Sequence, residues 1–371
     1  MPTVAFAGGG SGGHIYPGLA VAEALDGRLA AAFPEGKSRL LWIGSRSGMD
    51  RGIVERAGMD FRGIPAGRLR RYFTLRTLPD AFRVLAGFFA ARAVLKKEKP
   101  DLLFSKGGFV SVPPCAAAAS LGIPVFAHES DFSPGLATRL SMRFVRRTGG
   151  RVFAAYPRTA EALGAAAPGP VAVTGNPVRR AFRSADPAKG RAFLGLPPGA
   201  RILLVLGGSQ GARQIDELVR DCLGDLTSVY AVVHQRASGD GVPATDGYFP
   251  LSYIGEELPH VLAAAELVLG RAGAGTVWEC ATAGRPMVLI PLEGSGTRGD
   301  QVENAGFFAE AGAAMVLSGG NANPANLSRT ILALAADGQR REAMARAAAR
   351  IGATDGAAAI ADAIAERLGN R

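Results

Sequence analysis

The sequence has few cysteines and no long hydrophobic run. The three cysteines, Cys115, Cys222 and Cys280, have no paired spacing, which argues against a disulfide framework or a zinc site and favours a reducing compartment. The longest apolar stretch, residues 109–127, contains three prolines and is not expected to span a membrane. The N-terminus runs directly into a strand-like segment, so we expect no secretory leader.

Acidic residues are scarce in the first half of the chain. Residues 1–180 hold 25 Lys and Arg against 12 Asp and Glu, whereas residues 181–371 hold 17 against 20. A basic half of this kind predicts contact with an anionic surface, and charge for solubility is the alternative. No aromatic–basic recognition motif is present, so we expect a membrane surface and no nucleic acid.

Glycine is abundant, and it is concentrated in two turns that each follow an apolar strand-like run. Residues 8–14 follow the run 4–7, and residues 207–213 follow the run 202–206. A glycine-rich turn between a strand and a helix exposes backbone N–H groups at the positive end of the helix dipole, where phosphate binds. Two such turns predict two similar α/β halves.

Short apolar segments alternate with helical patterns, which is typical of parallel sheets. The fold predicted is α/β, with two Rossmann-like doubly wound domains that face an interdomain cleft. The prolines between residues 157 and 200 mark the junction, which gives domains 1–160 and 161–339. Residues 340–371 form one helical pattern that is expected to pack back on the first domain. The predicted strands are 4–7, 40–43, 102–104, 125–127, 152–154, 202–206, 229–233, 267–269, 287–290 and 314–317.

The first glycine-rich turn has a second interpretation. Gly8, Gly10 and Gly13 satisfy the dinucleotide fingerprint, but the second strand ends at Arg46 without the expected acidic residue. Since an arginine suits a 2′-phosphate, an NADP-dependent oxidoreductase stays open as an alternative. A purely structural tight turn is the other alternative, although it explains His14 poorly because a turn needs no imidazole.

Polar residues follow several predicted strands. His14 ends the first turn at a helix N-terminus, where the dipole favours a neutral ring that can act as a base; a capping or packing histidine is the alternative. Residues 128–131, His-Glu-Ser-Asp, and residues 270–276 also follow strands. In the second half Glu279, and the i, i+3 pair Gln301 and Asn304, suit the hydroxyl groups of a ribose and a sugar. His234 and His260 lack such a context and are interpreted as surface or packing residues.

These segments resemble the MurG family of bacterial glycosyltransferases over nearly the whole chain. The resemblance is carried, in this order, by GGGSGGHIYPGLAVAEAL, SKGGFVSVP, GIPVFAHESD, VTGNPVR, LGGSQGAR, RAGAGTVWECATAGRP and DQVENA. It implies the GT-B fold and an inverting, metal-independent transfer of N-acetylglucosamine from UDP-N-acetylglucosamine to lipid I, which gives lipid II. It implies no cofactor, and no Asp-x-Asp motif is present for a diphosphate-bound metal. A location at the cytoplasmic face of the plasma membrane, and other cell-wall synthesis proteins as partners, are further implications.

The resemblance also implies roles for individual residues. His14 is the first choice for the base that deprotonates the acceptor hydroxyl, with Glu129 or Asp131 next. Glu279 would hold the ribose, Ile254 the uracil, and Gln301 and Asn304 the amino sugar. The remaining donor-site residues implied are Ser11, Gly12, Gly13, Asp131, Arg179, Ser209, Arg271, Ala274, Gly275 and Thr276.

Several positions depart from the family pattern, among them the stretch 293–299, which differs from the histidine-containing version often found. Ser11 stands where threonine is usual, Phe109 where tyrosine is usual and Asp216 where asparagine is usual. Asp131 stands in place of the usual asparagine, which leaves its role open. The alternatives within the fold are a UDP-sugar epimerase or another glycolipid glycosyltransferase. A non-enzymatic membrane scaffold is less favoured because so many polar groups end strands.

A basic segment with surplus apolar residues predicts the membrane contact. Residues 62–106 carry eleven Lys and Arg against three acidic residues, and two apolar stripes follow helical spacing. One stripe can pack on the sheet, and the other is then available to an anionic bilayer. A fully buried helix with a basic rim is the alternative. The residues expected at the membrane are Leu75, Arg76, Phe82, Arg83, Leu85 and Phe89.

Overall fold

Two parallel sheets organise the protein. The computed structural model describes residues 2–33, 38–67, 77–164, 167, 169–208, 211–236, 244–294 and 298–370, with only the backbone described at 77–79. The chain divides into unit 1, Met1–Arg179 with Asp355–Arg371, and unit 2, Arg180–Thr354. Each unit contains one sheet.

The sheet of unit 1 has seven strands in the order β3-β2-β1-β4-β5-β6-β7, and each pair that is described is parallel. Alternate residues of β1 face opposite layers, with Val4 and Phe6 on one core and Ala5 and Ala7 on the other. The strands are β1 (Thr3–Gly8), β2 (Arg39–Ser45), β3 (Asp60–Ile64), β4 (Leu102–Gly107), β5 (Val125–Glu129), β6 (Val152–Ala154) and β7 (Ala172–Val173). Its helices are α1 (Gly12–Ala32), α2 (Asp50–Arg56), α3 (Thr77–Glu98), α4 (Val112–Ser120), α5 (Leu136–Arg147), α6 (Pro157–Gly164) and α15 (Gly356–Gly369).

The sheet of unit 2 repeats the plan with six strands in the order β10-β9-β8-β11-β12-β13. The strands are β8 (Ile202–Leu206), β9 (Ala231–Gln235), β10 (Tyr248–Leu251), β11 (Leu267–Gly270), β12 (Met287–Leu289) and β13 (Ala314–Val316). Its helices are α7 (Pro187–Leu194), α8 (Arg213–Asp221), α9 (Leu223–Thr227), α10 (Leu258–Ala264), α11 (Ala274–Thr282), α12 (Asp300–Glu310), α13 (Pro324–Ala336) and α14 (Gly338–Gly352).

Both glycine-rich turns lie at the point where the strand order reverses. In unit 1 the chain winds outward from β1 to β3 and then starts again at β4 on the other side of β1. In unit 2 the same reversal lies between β8 and β11. Ligands of doubly wound sheets bind at the carboxyl ends of the strands that flank this reversal. The two predicted turns therefore occupy equivalent positions in their sheets, at the edge where sheets of this class bind ligands.

The unit boundary lies later in the chain than the predicted 160/161 junction. Residues 161–179 stay with unit 1 because β7 adds a strand beside β6, and the Thr174 N–H donates to the Ala154 carbonyl at 3.0 Å. The proline-rich composition of this segment obscures that strand.

The tail is two helices where the sequence pattern predicted one. Helix α14 packs on α11 in unit 2, whereas α15 packs on α1 in unit 1. One tertiary contact and one local cap accompany the break. Gly352 lies so close to the Ala281 backbone that a Cβ atom would come within 2.3 Å of it, and the Asp355 carboxylate caps α15 by accepting the Ala358 N–H at 3.0 Å. The segment that returns to unit 1 thus begins at Asp355 and not at 340.

Candidate functional site

The first glycine-rich turn is held in place by a buried carboxylate. Asp50, which is 1% exposed at the start of α2, accepts the Gly10 N–H at 3.1 Å and the Ser45 N–H at 2.9 Å. Beneath the turn, the Trp42 indole N–H donates to the Gly8 carbonyl at 3.0 Å. The turn is therefore fixed to the end of β2 before any ligand binds.

The turn leads into a helix N-terminus with open donors. Ser11 is the N-cap of α1, and its side chain makes no capping hydrogen bond. The N–H groups of Gly12 and Gly13 belong to the first turn, where a helix offers no internal acceptor. Such groups, together with the helix dipole, attract an anion.

The His14 side chain lies against the turn that follows β4. A Cβ atom on Gly108 would lie 2.9 Å from His14 Cδ2, and one on Gly107 would lie 3.9 Å from His14 Nδ1. Gly107 and Gly108 have positive φ angles, 88° and 77°. The Phe109 ring packs equally closely on Gly10, where an added Cβ atom would lie 2.7 Å from Phe109 Cε1. The positive φ angles favour glycine at both 107 and 108, and at 108 the contact with His14 also leaves no room for a Cβ atom.

A buried lysine links the ends of β4 and β5. Lys106 is 1% exposed, and its ammonium donates to the Ser130 hydroxyl, which in turn donates to Asn176 Oδ1 at 2.7 Å. Burial lowers the pKa of Lys106 to about 8, opposed by the attraction of the Glu129 and Asp131 carboxylates. This chain of polar side chains fixes residues 130 and 176 at the carboxyl edge of the sheet.

Glu129 is committed to the backbone of its own loop. Its Oε1 accepts the Ser130 and Asp131 N–H groups at 2.9 and 3.1 Å, and its Oε2 accepts the Gly135 N–H at 2.9 Å. The residue is 5% exposed. The carboxylate therefore shapes the turn from β5 into α5, and this turn presents Asp131, which is half-buried.

His128 lies under the same loop in a fully buried position. Its Nε2 lies 3.0 Å from the Gly175 carbonyl, so this nitrogen carries the hydrogen and donates. Burial and the Lys106 charge hold the pKa of His128 well below its ordinary value. The ring is thus neutral, and it connects β5 to the segment 174–176.

Arg179 is the last residue of unit 1. Its guanidinium carbon lies 4.9 Å from the centroid of the Tyr16 ring, two residues after His14 in α1. The structure thus groups Arg179 with the first glycine-rich turn, within the same unit as His14.

In unit 2 the second turn begins as the sequence predicts. Gly207 has no room for a side chain, because a Cβ atom would lie 2.8 Å from the Ala212 nitrogen, and the Gly211 N–H donates to the Gly208 carbonyl at 3.1 Å. Ser209 lies outside the described residues. Helix α8 begins at Arg213, the last residue of the predicted turn.

A second helix N-terminus lies across the strand reversal from this turn. Gly273 is the N-cap of α11 and offers no side chain, so the first-turn N–H groups at Ala274, Gly275 and Thr276 have no internal acceptor. These residues and Glu279, one turn further on, are half-buried and reachable. The arrangement suits a phosphate near the helix N-terminus and a hydroxyl-bearing group beside Glu279.

Arg271 and the amides of Gln301 and Asn304 in α12 hold loops at the carboxyl edge of the unit 2 sheet. The Arg271 Nη1 atom donates to Gln214 Oε1 at 2.9 Å and to the Ile290 carbonyl at 3.0 Å. Gln301 Oε1 accepts the Leu292 N–H at 2.9 Å, and Asn304 Nδ2 donates to the Ala272 carbonyl at 3.2 Å. Asn304 is fully buried, whereas Gln301 is half-buried. The predicted pair therefore lies on one side of α12, and each of its amides contacts a loop that follows a strand.

Ile254 follows β10 in the chain and is buried, with 1% of the residue exposed. Its N–H donates to Gln235 Oε1 at 3.2 Å. The preceding residue, Tyr253, is 64% exposed. Residue 254 is thus fixed to the carboxyl end of β9, next to the strand that precedes the second glycine-rich turn.

Helix α3 has apolar residues on a buried side and on an exposed side. Ala91 and Leu95 are buried, whereas Phe82, Leu85 and Phe89 are 71%, 54% and 61% exposed. Arg83, between them, donates to the Asp80 carboxylate at 3.1 Å. Leu75 and Arg76 lie outside the described residues. An exposed apolar stripe of this size on a basic helix is unusual for a surface that meets only water.

Four polar residues that shape these sites were not singled out by the sequence. Asp50, Lys106 and Asn176 lie in unit 1, and His234, interpreted as a surface or packing residue, joins a buried hydrogen-bonded group in unit 2. The sequence does contain one indication of the position of Lys106. A lysine directly after an apolar strand and before two glycines is expected at the carboxyl edge of a sheet. The other three make contacts with residues distant in sequence, which local patterns do not show.

Two features are absent from the described residues. None of their helices is both long enough and apolar enough to cross a membrane. They contain no group of three or more His, Cys, Asp or Glu residues placed to hold a metal ion.

Models of one protein family match both halves of the chain, and relatives match nearly its full length. Residues 4–149 match the glycosyltransferase family 28 N-terminal domain, and residues 202–363 match its C-terminal domain. A UDP-N-acetylglucosamine–N-acetylmuramyl-(pentapeptide) pyrophosphoryl-undecaprenol N-acetylglucosamine transferase of Treponema denticola is 44% identical over 98% of this chain and 97% of its own. The enzyme of the same name from Clostridium kluyveri is 38% identical over 85% of this chain and 86% of its own.

Solved structures agree on the fold. The crystal structure of Acinetobacter baumannii MurG matches with a TM-score of 0.73 and 26% identity, over 99% of this chain and 100% of that one. A UDP-N-acetylglucosamine 2-epimerase matches with a TM-score of 0.69 but 15% identity, over 100% of this chain and 97% of that one. The second match shows the fold alone. The prediction of two Rossmann-like domains of the GT-B type is confirmed.

Proposed function

This chain belongs to glycosyltransferase family 28, and from that membership and the geometry above we propose that it transfers N-acetylglucosamine from UDP-N-acetylglucosamine to lipid I. The acceptor is the 4-hydroxyl of the muramoyl sugar, and the product is lipid II for peptidoglycan synthesis. The observation that carries the proposal is the near-full-length identity of 44% to a transferase of that name. The sites at both strand reversals support it, since each combines a helix N-terminus with polar side chains.

Unit 2 binds the donor. The first-turn N–H groups at Ala274, Gly275 and Thr276 and the second glycine-rich turn with Ser209 receive the diphosphate, and the Glu279 carboxylate accepts the ribose hydroxyls. Ile254 lies beside the uracil. Arg271, Gln301 and Asn304 hold the loops that shape the sugar pocket, and Gln301, the less buried amide, is the one that meets the sugar.

Unit 1 supplies the groups for the acceptor and the reaction. The acceptor oxygen attacks the anomeric carbon, the bond from that carbon to the diphosphate breaks, and UDP leaves with the electron pair. His14 takes the proton of the attacking hydroxyl. The N–H groups of Gly12 and Gly13 next to Ser11, together with Arg179, stabilise the negative charge that develops on the leaving group.

Glu129 and Asp131 have different roles in this proposal. Because three N–H groups already occupy the Glu129 carboxylate, it positions the 130–135 loop and is not the base. Asp131, which this loop presents, contacts the acceptor. The proposal thus selects His14 among the three candidates that the sequence leaves open.

The acceptor carries a long lipid, so the enzyme must work at a membrane surface. The exposed stripe of Phe82, Leu85 and Phe89 on a basic helix suits shallow insertion into an anionic bilayer. We assign the protein to the cytoplasmic face of the plasma membrane as a peripheral protein, in contact through α3.

A product assay tests the reaction. The purified protein is mixed with UDP-N-acetylglucosamine and a lipid I analogue, and mass spectrometry follows the acceptor. One added N-acetylhexosamine supports the proposal, and its absence with release of free sugar or an altered UDP-sugar contradicts it. Protein fluorescence titrated with UDP and with NADPH separates the oxidoreductase alternative, because UDP alone is expected to bind.

A further inference from the structure

A buried line of three polar side chains runs below helix α8 in unit 2. The Tyr248 hydroxyl lies 3.1 Å from His234 Nδ1, and His234 Nε2 lies 3.1 Å from Asp216 Oδ1. His234 and Tyr248 are 1% and 3% exposed. The Asp216 side chain, at the outer end of the line, is 15% exposed.

We propose that His234 is a positioning residue of the donor site, which fixes the first turn of α8, through Asp216, in the place where it binds the UDP diphosphate. The proposal rests on the assignment of unit 2 to the donor. It adds a residue that touches no ligand and acts through the helix that follows the second glycine-rich turn.

The hydrogen bonds have one consistent direction. A carboxylate only accepts, so Nε2 carries the ring hydrogen and donates to Asp216. The Nδ1 atom is then the acceptor, and the Tyr248 hydroxyl donates to it. Burial lowers the pKa of His234 to about 4, which keeps the ring neutral at pH 7 and preserves this order.

The position of the line connects it to the donor site. Asp216 lies in the first turn of α8, whose N-terminal end follows directly on the glycine-rich turn after β8. His234 lies near the carboxyl end of β9, the strand next to β8, and the next residue, Gln235, holds the Ile254 N–H. Two successive residues of β9 therefore hold the first turn of α8 and the segment assigned to the uracil.

Apolar packing alone does not fix the helix in this way. Ile215, Leu218 and Val219 bury α8 on the sheet, but such contacts are non-directional and allow small shifts along the surface. The hydrogen bond from His234 is directional and acts on the first turn. Because a binding geometry tolerates only small displacement, a loosened first turn weakens donor binding before it unfolds the domain.

Four variants and a control test the inference by UDP affinity, which needs neither acceptor nor catalysis. Asp216→Ala and His234→Leu remove the contact, whereas Asp216→Asn keeps an oxygen that accepts from Nε2 and His234→Gln keeps a side-chain donor. Glu217→Ala is the matched control, because Glu217 is the next residue of α8 and pairs with Arg213 at the surface. Calorimetric titration with UDP gives the dissociation constant, and thermal unfolding checks that each variant is folded.

Asp216→Ala and His234→Leu are expected to raise the UDP dissociation constant about tenfold, while the other three variants stay within about threefold. In separate steady-state assays with a lipid I analogue, the acceptor KM is expected to be unchanged throughout. Asp216→Ala gives an independent result if His234→Leu does not fold, since Asp216 lies at the outer end of the line. A purely electrostatic effect of Asp216→Ala would lower the UDP dissociation constant, because removal of a carboxylate near a diphosphate favours binding.

Three results would overturn the inference: unchanged UDP affinity in folded Asp216→Ala, tighter binding in that variant, or the same loss in Asp216→Asn. Failure of the wild-type protein to bind UDP is distinguishable from these, since it refutes the assignment of the donor site itself.

Discussion

The Asp50 carboxylate and the Gly10 N–H form the contact that fixes the first glycine-rich turn. The 3.1 Å hydrogen bond joins residues forty positions apart, and the second carboxylate oxygen holds the end of β2. A Cβ atom on Gly9 would lie 2.0 Å from Asp50 Oδ2, so only glycine fits at residue 9 beside this carboxylate. The turn is thereby prepared before the substrates arrive.

Asp50→Ala is expected to lower kcat at least tenfold, because the Gly10 and Ser45 N–H groups lose their acceptor and the turn that carries Ser11 and His14 loosens. Asp50→Asn keeps one oxygen and is expected to retain more activity than Asp50→Ala. Steady-state kinetics with both substrates measures the difference. If Asp50→Ala and Asp50→Asn both react at the wild-type rate, this contact has no part in catalysis.

Gly108→Ala tests the close packing on His14. The new methyl group would lie 2.9 Å from both His14 Cδ2 and the Gly9 carbonyl, and the φ angle of 77° disfavours alanine. We expect kcat to fall by one to two orders of magnitude with little change in UDP affinity. Gly122→Ala is the control, since Gly122 also has a positive φ angle, 71°, but no atom within 4 Å of a Cβ position.

The sequence predicted the parts of the fold that depend on local pattern. Both glycine-rich turns and ten of the strand cores were predicted because apolar runs bounded by glycine and polar residues identify buried parallel strands. Strands β3, β7 and β10 were missed. Strand β3, Asp60–Ile64, contains an arginine and a glycine between its apolar residues, and β7 is an exposed edge strand of two residues. Neither strand therefore contains an apolar run.

The candidate site was predictable where a residue follows a strand, and not where it acts at a distance. His14, Glu129 and Glu279 all follow predicted strands or turns. Asp50 and His234 are defined by contacts with residues 40 and 18 positions away, and only the folded sheet brings these together. The division of the tail at Asp355 was missed for the same reason, because the close approach of Gly352 to Ala281 is a tertiary contact.

The base assignment predicts different behaviour for His14 and Glu129. His14→Ala is expected to lower kcat by a factor of about 10² to 10⁴, the usual contribution of a general base, with UDP affinity maintained. Glu129→Gln loses part of its three backbone contacts, so we expect a lower melting temperature and a smaller loss of kcat. Turnover by His14→Ala within a few-fold of the wild-type rate would exclude His14 as the base.

Membrane contact through α3 predicts a charge-sensitive binding surface. The double variant Phe82→Asp/Phe89→Asp is expected to bind vesicles that contain anionic lipid at least tenfold more weakly, because two exposed apolar groups are replaced by charges that the bilayer repels. Turnover of a soluble lipid I analogue is expected to be preserved. Phe193→Asp, at a 45% exposed phenylalanine in unit 2, is the control and should bind vesicles normally. Vesicle co-sedimentation provides the measurement, and equal binding by the double variant would argue against this surface.

Two buried histidines predict that stability falls below neutral pH. Burial lowers the pKa of His234 to about 4 and holds the pKa of His128 well below 6.5, so the unfolded chain takes up protons at these rings before the folded chain does. Their stabilising effect is complete above pH 6.5 and is lost as the pH falls toward the folded-state pKa, by about 1.4 kcal/mol per pH unit for each ring. Thermal unfolding between pH 7.5 and 4.5 measures the slope for the wild type and for His234→Gln. The variant lacks one titrating ring, so its melting temperature should fall less steeply over this range, and parallel curves would show that His234 does not contribute.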